Sequence, residues 1–203
     1  MECPRLTRIR SGGRRSAPSN CRQSWRPKRR RHVTCTRKTT MSMIGNFLQI
    51  TPEQLEAMHA DPALVTKTLY PEDVDRYPGI DVDKAWQAIH FLLVGDPWKG
   101  DGPLALAVLN GPEIGDDAGY GPATYLTPEE VRDVAAALEP ITPEQLGQRF
   151  DPTAMMAQQI YPEIWDEDDE EELIEYITEG YQEVRSYYLD AAAKGNAMLK
   201  YVN

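Results

Sequence analysis

The sequence predicts one helix-rich α/β domain from Met41 to Asn203, preceded by a basic segment outside that fold. Three observations lead there. Residues 1–40 carry 13 Lys and Arg against one acid, Glu2, a net of +12, whereas residues 41–203 carry 9 basic and 31 acidic residues, a net of −22. So abrupt a reversal marks a boundary. Past it, short β-tolerant apolar runs stand at 44–50, 123–126 and 197–202. Between them, helix starts recur as Thr-Pro-Glu at Thr51, Thr127 and Thr142. In each the Thr caps the helix and the Pro fits its first position. The intervals between the three differ, so they are good helix starts and not a repeat.

Taken in order, the run 44–50 (IGNFLQI) is a strand. Thr51 then opens a helix that turns Leu55 and Met58 inward, with Gln54 placed to complete a capping box. Asp61-Pro62 starts a second short helix through Leu64, Val65 and Leu69, stopped at Pro71. Residues 72–79 read as an acidic loop. Asp81 or Asp83 is expected to cap a strong helix over 83–94, ended by Gly95. Residues 104–109 read as a short helix. The Gly- and Pro-rich stretch 111–122 reads as irregular, with at most a brief edge pairing at Glu113-Ile114. A strand at 123–126 and helices from Thr127 and Thr142 follow, then a short helix from Asp151-Pro152. The longest helix covers 170–193, with Leu173, Ile177, Gly180 or Tyr181, Val184, Tyr188 and Ala191 on one stripe. Gly195 ends it, and the strand 197–202 is expected to pair with the first strand. The expected core includes Ile44, Phe47, Leu48, Trp86, Ile89, Leu126, Phe150 and Val184.

Composition also excludes chemistry. All three cysteines, Cys3, Cys21 and Cys35, fall in the basic segment. The domain therefore has no disulfide, zinc knot or cysteine nucleophile, and a cytoplasmic location is expected. No apolar run is long enough to span a membrane. The basic segment lacks the apolar stretch of a secretory signal. Three readings fit it: a nucleic-acid-binding arm, a transit peptide, or translation from a start upstream of the natural one. Met41 and Met43, just before Ile44, favour the last.

Three strings carry a family resemblance: Met43-Ile44-Gly45-Asn46-Phe47, then Asp81-Val82-Asp83-Lys84-Ala85-Trp86 running into Ile89-His90-Phe91-Leu92-Leu93, and Gly119-Tyr120-Gly121-Pro122 before Tyr125-Leu126-Thr127-Pro128-Glu129. Residues 41–203 resemble the YfbM-like family of bacterial proteins of unknown function (domain of unknown function 1877). The resemblance implies an α/β fold with a small mixed sheet packed by helices, and a start near Met41. It implies no activity.

The helix 83–94 is the most informative segment. At 100° per residue Ala85, Ile89, Leu92 and Leu93 share an arc, and Asp83, Gln87 and His90 share another, with Trp86 between them. Phe91 and Val94 intrude on the polar arc, so the helix reads as buried on most sides around a polar notch. His90 suits a general base or a hydrogen-bonded structural histidine. Where the notch meets the 111–122 loop, Asp83, Trp86, His90 and Tyr120 form the candidate pocket. His59 is the domain's other histidine, and nothing in its spacing brings it to His90 as a metal pair.

The acidic run 166–172 (DEDDEEE) lacks the glycine turn of a calcium loop and reads as a solvated helix start. The run 115–121 (GDDAGYG) lacks the Lys-Ser/Thr of a phosphate loop, and Asp116 and Asp117 repel phosphate. Ser42 and Ser186, the domain's only serines, have no nucleophile-elbow context. No metal and no cofactor is expected.

A net of −22 repels nucleic acid and anionic membranes and favours a basic protein partner. The favoured function is a protein-binding module, for instance one that sequesters a basic effector as an immunity-type protein would. The alternative is a small enzyme or ligand-binding protein with its pocket around His90.

Overall fold

The computed structural model describes residues 42–71, 79–166 and 169–203. The basic segment 1–40 and most of the expected acidic loop, residues 72–78, lie outside them.

A five-stranded sheet forms the centre. Its strands are β1 (Gly45–Ile50), β2 (Ile80–Asp81), β3 (Glu113–Asp117), β4 (Pro122–Leu126) and β5 (Ala197–Val202). Their order is β2-β1-β5-β4-β3. The first and last long strands are neighbours, as expected, in unbroken register from Gly45 opposite Val202 to Ile50 opposite Ala197. Every pairing is antiparallel, where a mixed sheet was expected.

Among the described residues eight helices surround this sheet: α1 (Pro52–Ala60), α2 (Ala63–Leu69), α3 (Trp86–Val94), α4 (Pro103–Leu106), α5 (Pro128–Leu138), α6 (Pro143–Gly147), α7 (Pro152–Ala157) and α8 (Glu170–Lys194). The period of two along a strand sorts its side chains between two cores. Leu48, Ile50, Ala197, Leu199 and Tyr201 meet Leu55 and Met58 of α1 and Val65 and Leu69 of α2. Phe47, Leu126 and Met198 meet the larger core built with α3, α5 and α8. Ile44 and Phe150, expected inside, are only half-buried. Tyr181, Tyr188 and Trp165 are fully enclosed.

The three Thr-Pro-Glu sites each close a capping box, with Gln54, Glu130 and Gln145 as the returning side chains. Asp151 caps α7, and Asp169 within the acidic run caps α8 through the Glu172 N–H.

Two further expectations are corrected. Neither Asp81 nor Asp83 caps α3. A 3₁₀ turn, Asp83–Ala85, precedes it, and Asp83 sits at φ +44°. The Lys84 N–H instead donates to the Tyr176 hydroxyl of α8 at 3.0 Å. That hydroxyl donates in turn to Asp83 Oδ2 at 3.0 Å. A phenol from a distant helix therefore serves a first-turn donor.

The second correction is the stretch 111–122, which contains a whole edge strand, β3. Its register shifts between Ile114 and Asp117, a bulge that glycine permits. Gly115 there has φ +79°, and an added Cβ would come 2.9 Å from the Val65 side chain of α2.

Candidate functional site

One cleft, of about 160 Å³, opens where β1, β5 and β4 meet the turn after α4. Trp86 and Tyr120, two of the four residues expected to share a pocket, line it together with Asn46, Asn110, Thr124 and Lys200. Asp83 lines a different groove, of about 580 Å³, with Lys84, Pro162, Ile164, Glu172 and Tyr176. His90 lines neither of the two.

Gln87 closes the polar notch around His90. Its Oε1 accepts from the Tyr161 N–H at 2.7 Å, and its Nε2 donates to the Pro97 carbonyl at 3.2 Å. His90 is 0 % exposed. Neither ring nitrogen has a hydrogen-bond partner among the described residues. Burial, aided by the Lys200 charge, holds its pKa below the ordinary histidine value, against weaker opposition from the Lys99 backbone and Asp96. At neutral pH it is an uncharged imidazole shut away from solvent.

At the floor of the cleft lies a residue the sequence reading passed over. Lys200 is 3 % exposed. Its Nζ donates to the carbonyls of Leu106 at 2.5 Å, Leu109 at 3.0 Å and Asn110 at 2.8 Å. These carbonyls belong to the end of α4 and the turn after it, where a cation is favoured. Burial pulls the ammonium down to about 7, with Glu130 opposing. The three carbonyls act the other way, because a neutral amine has only two N–H donors and would leave one of them unbonded. The group is therefore an ammonium with no lone pair to offer, so it is not an amine nucleophile. Strand parity could have revealed it: Lys200 shares a face with Met198, and that face packs inward.

The remaining lining is neutral. Asn46 Nδ2 donates to the Ile44 carbonyl at 2.9 Å and to Asn203 Oδ1 at 3.0 Å. Asn46 stands opposite Tyr201, so its amide lies on the face of the smaller core, away from Lys200. Asn110 Nδ2 likewise donates to the Ala105 carbonyl at 3.2 Å. Trp86 donates its indole N–H to the Met43 carbonyl at 3.1 Å. Its ring stacks on Tyr161 at 6.0 Å and tilts against Trp98 at 6.1 Å.

The exposed large apolar side chains of the described residues are Tyr70, Trp98 and Tyr120. Two of them border this cleft: Tyr120 lines it and Trp98 packs on Trp86. Tyr70 packs edge-on at 6.0 Å against Tyr201, whose ring belongs to the smaller core on the opposite face of the sheet. Tyr70 also donates its hydroxyl to the Ala118 carbonyl. The site thus offers aromatic faces and the fixed Asn110 amide around a saturated ammonium, an arrangement suited to holding a group. Among the described residues no three His, Cys, Asp or Glu side chains converge to hold a metal ion. No helix among them is long and apolar enough to cross a membrane.

Comparison with known proteins agrees with the family resemblance. No match is found among curated proteins. Among solved structures the chain is similar to the crystal structure of YfbM, a protein of unknown function from Escherichia coli. Identity is 26%, over 79% of this chain and 99% of that one, with a TM-score of 0.61. Residues 41–201 match the family described as Domain of unknown function (DUF1877). With the match spanning most of its length, the chain belongs to the DUF1877 family.

Proposed function

We propose that residues 41–203 form a protein-binding module whose partner is a basic protein. The observation that carries this reading is where the domain's few cations point. Three of its nine Lys and Arg residues turn toward helix ends. Arg149 donates to the Leu92 carbonyl at 3.0 Å near the end of α3. Arg185 donates to the carbonyls of Leu138 and Glu139 at the end of α5. Lys200 closes the turn after α4. Arg132 and Lys194 pair with Glu129 and Asp190 on their own helices.

The outward carboxylates are left largely uncompensated. Glu170, Glu171, Glu172, Glu175, Glu179 and Glu183 are all exposed along α8, and Glu113, Asp116 and Asp117 are exposed on β3. Such a surface steers cationic partners and repels nucleic acid and anionic lipid. Sequestration of a basic effector is the concrete form of this reading. The alternative, an enzyme with a pocket around His90, draws less from the structure, since His90 is sealed from solvent.

The test is titration of the full-length chain with basic and acidic proteins of matched size at low and high salt. A stoichiometric complex with a basic protein, weakened by salt and by replacing Glu171, Glu175 and Glu179 with Lys, is expected. Failure of every basic protein to form a complex at low salt would overturn the reading.

A further inference from the structure

We infer that the cleft between Trp86 and Tyr120 is the anchoring pocket for one arginine side chain of that basic partner. The inference rests on the reading above and names its point of grip.

Size sets the first limit. Cofactor and drug-sized ligands occupy cavities of roughly 300–1,000 Å³. This cleft, at about 160 Å³, suits the end of a single side chain. The second limit is the hydrogen-bonding sense of its walls. The Asn110 amide is tied by its nitrogen to Ala105. The ammonium of Lys200 has placed all three of its protons on carbonyls. With these donors committed, the Asn110 amide oxygen and the Thr124 hydroxyl remain as acceptors. A guest rich in donors matches them, and guanidinium carries five in one plane.

The third limit is the rim. Trp98 is 56 % exposed and Tyr120 45 % exposed, and planar guanidinium stacks on such rings. A carboxylate stands beside each. Asp96 Oδ1 accepts from the Trp98 N–H at 2.9 Å. Asp117 Oδ1 accepts from the N–H groups of Gly119 at 2.7 Å and Gly121 at 3.1 Å, on either side of Tyr120. Hydrogen bonding from Trp98 and Lys99 holds the Asp96 carboxyl below its usual range, so it stays charged. Lys200 repels a cation at the floor, which keeps the guest at the aromatic mouth. An acidic guest would gain from Lys200 but would meet both rim carboxylates and the −22 of the domain.

The test uses the full-length chain and four capped tripeptides, Gly-X-Gly, with X as arginine, its neutral isostere citrulline, lysine or glutamate. The readout is the indole N–H NMR signals of Trp86 and Trp98. Trp165 is the internal control, being buried with its indole N–H on the Ile160 carbonyl. Saturable shifts at Trp86 and Trp98 with the arginine peptide are expected, and citrulline should bind about tenfold more weakly. Trp98→Ala and Tyr120→Ala, both at exposed positions, should each weaken binding about two- to fivefold with unchanged circular dichroism.

Citrulline or glutamate binding as well as arginine would overturn the inference. So would a basic protein that binds in a salt-dependent way while both indoles stay unmoved, an outcome that leaves the proposed function standing. Failure of all basic proteins to bind would remove both.

Discussion

Gly45 lies so close to Trp86 that a Cβ built on it would stand 2.5 Å from the Trp86 Cβ. The contact joins the first residue of β1 to the first of α3, and both residues line the cleft. No side chain heavier than hydrogen fits between them unless the strand or the helix moves. Gly45→Ala should therefore destabilise the domain by about 1–3 kcal/mol through overpacking. Urea unfolding checks this, and an unchanged midpoint would show that the strand shifts at little cost. Gly180→Ala is the control. Its added Cβ would meet nothing nearer than 3.4 Å, at Ile89.

Lys200 and the turn after α4 give the second prediction. Lys200→Met keeps the length of the stem but removes the donors from three carbonyls at once. Leaving buried acceptors unbonded costs about 1–3 kcal/mol each, partly relieved where water reaches the cleft. We expect a loss of about 3–5 kcal/mol overall, read as a large drop in thermal midpoint. A variant as stable as the parent would mean that the ammonium contributes nothing to closing this turn.

How much of this was legible beforehand depends on the range of the interaction. The capping boxes at Thr51, Thr127 and Thr142 were readable because every partner lies within three residues. The inward stripe of α8 was readable because its period is the helix's own. The pairing of β1 with β5 was also anticipated. Asp83 was placed as a cap because its true partner, Tyr176, is 93 residues away. The strand β3 hid behind Gly115, whose backbone shape looks like a loop signal until Val65 is seen against it. In α3 the residues from Trp86 to Leu93 are buried almost all round, so periodicity could not tell a notch from an interior. Of the four residues expected to share a pocket, Trp86 and Tyr120 line one cleft, Asp83 lines another groove and His90 is enclosed. Lys200 went unremarked because a charged letter in a strand reads as solvent-facing.

Two arginines separate a helix-end contact from a surface ion pair. Arg185 reaches the Leu138 carbonyl at 3.2 Å and the Glu139 carbonyl at 2.6 Å, closing the end of α5. Arg132 meets Glu129 at 3.7 Å, with both side chains more than half exposed. Arg185→Ala should cost about 1–2 kcal/mol, and Arg132→Ala no more than about 0.5 kcal/mol. Chemical denaturation of the two variants side by side checks the ranking. Equal losses would show that the carbonyl contacts of Arg185 are replaced by water at no cost.

His90 makes the domain sensitive to mild acid. Its folded-state pKa is depressed below the ordinary histidine value of 6.5, first by burial and then by Lys200. Below pH 6.5 the unfolded chain takes up a proton at this position while the folded chain does not, so the unfolded state binds more protons. Stability should then fall as pH drops below about 6.5 and level off only beneath the folded pKa. Asp96 and Asp190, whose pKa values are also lowered, titrate in more acidic solution and leave the range from pH 5 to 6.5 to His90. His90→Leu removes the titration together with two buried nitrogens that have no partner among the described residues. At neutral pH the variant should match or exceed the parent by about 1 kcal/mol, and between pH 5 and 6.5, below the range in which Lys200 titrates, its urea midpoint should be nearly flat. A parent whose midpoint is already flat over that range, or a leucine variant with the same slope, would show that His90 meets acid without cost in the folded state.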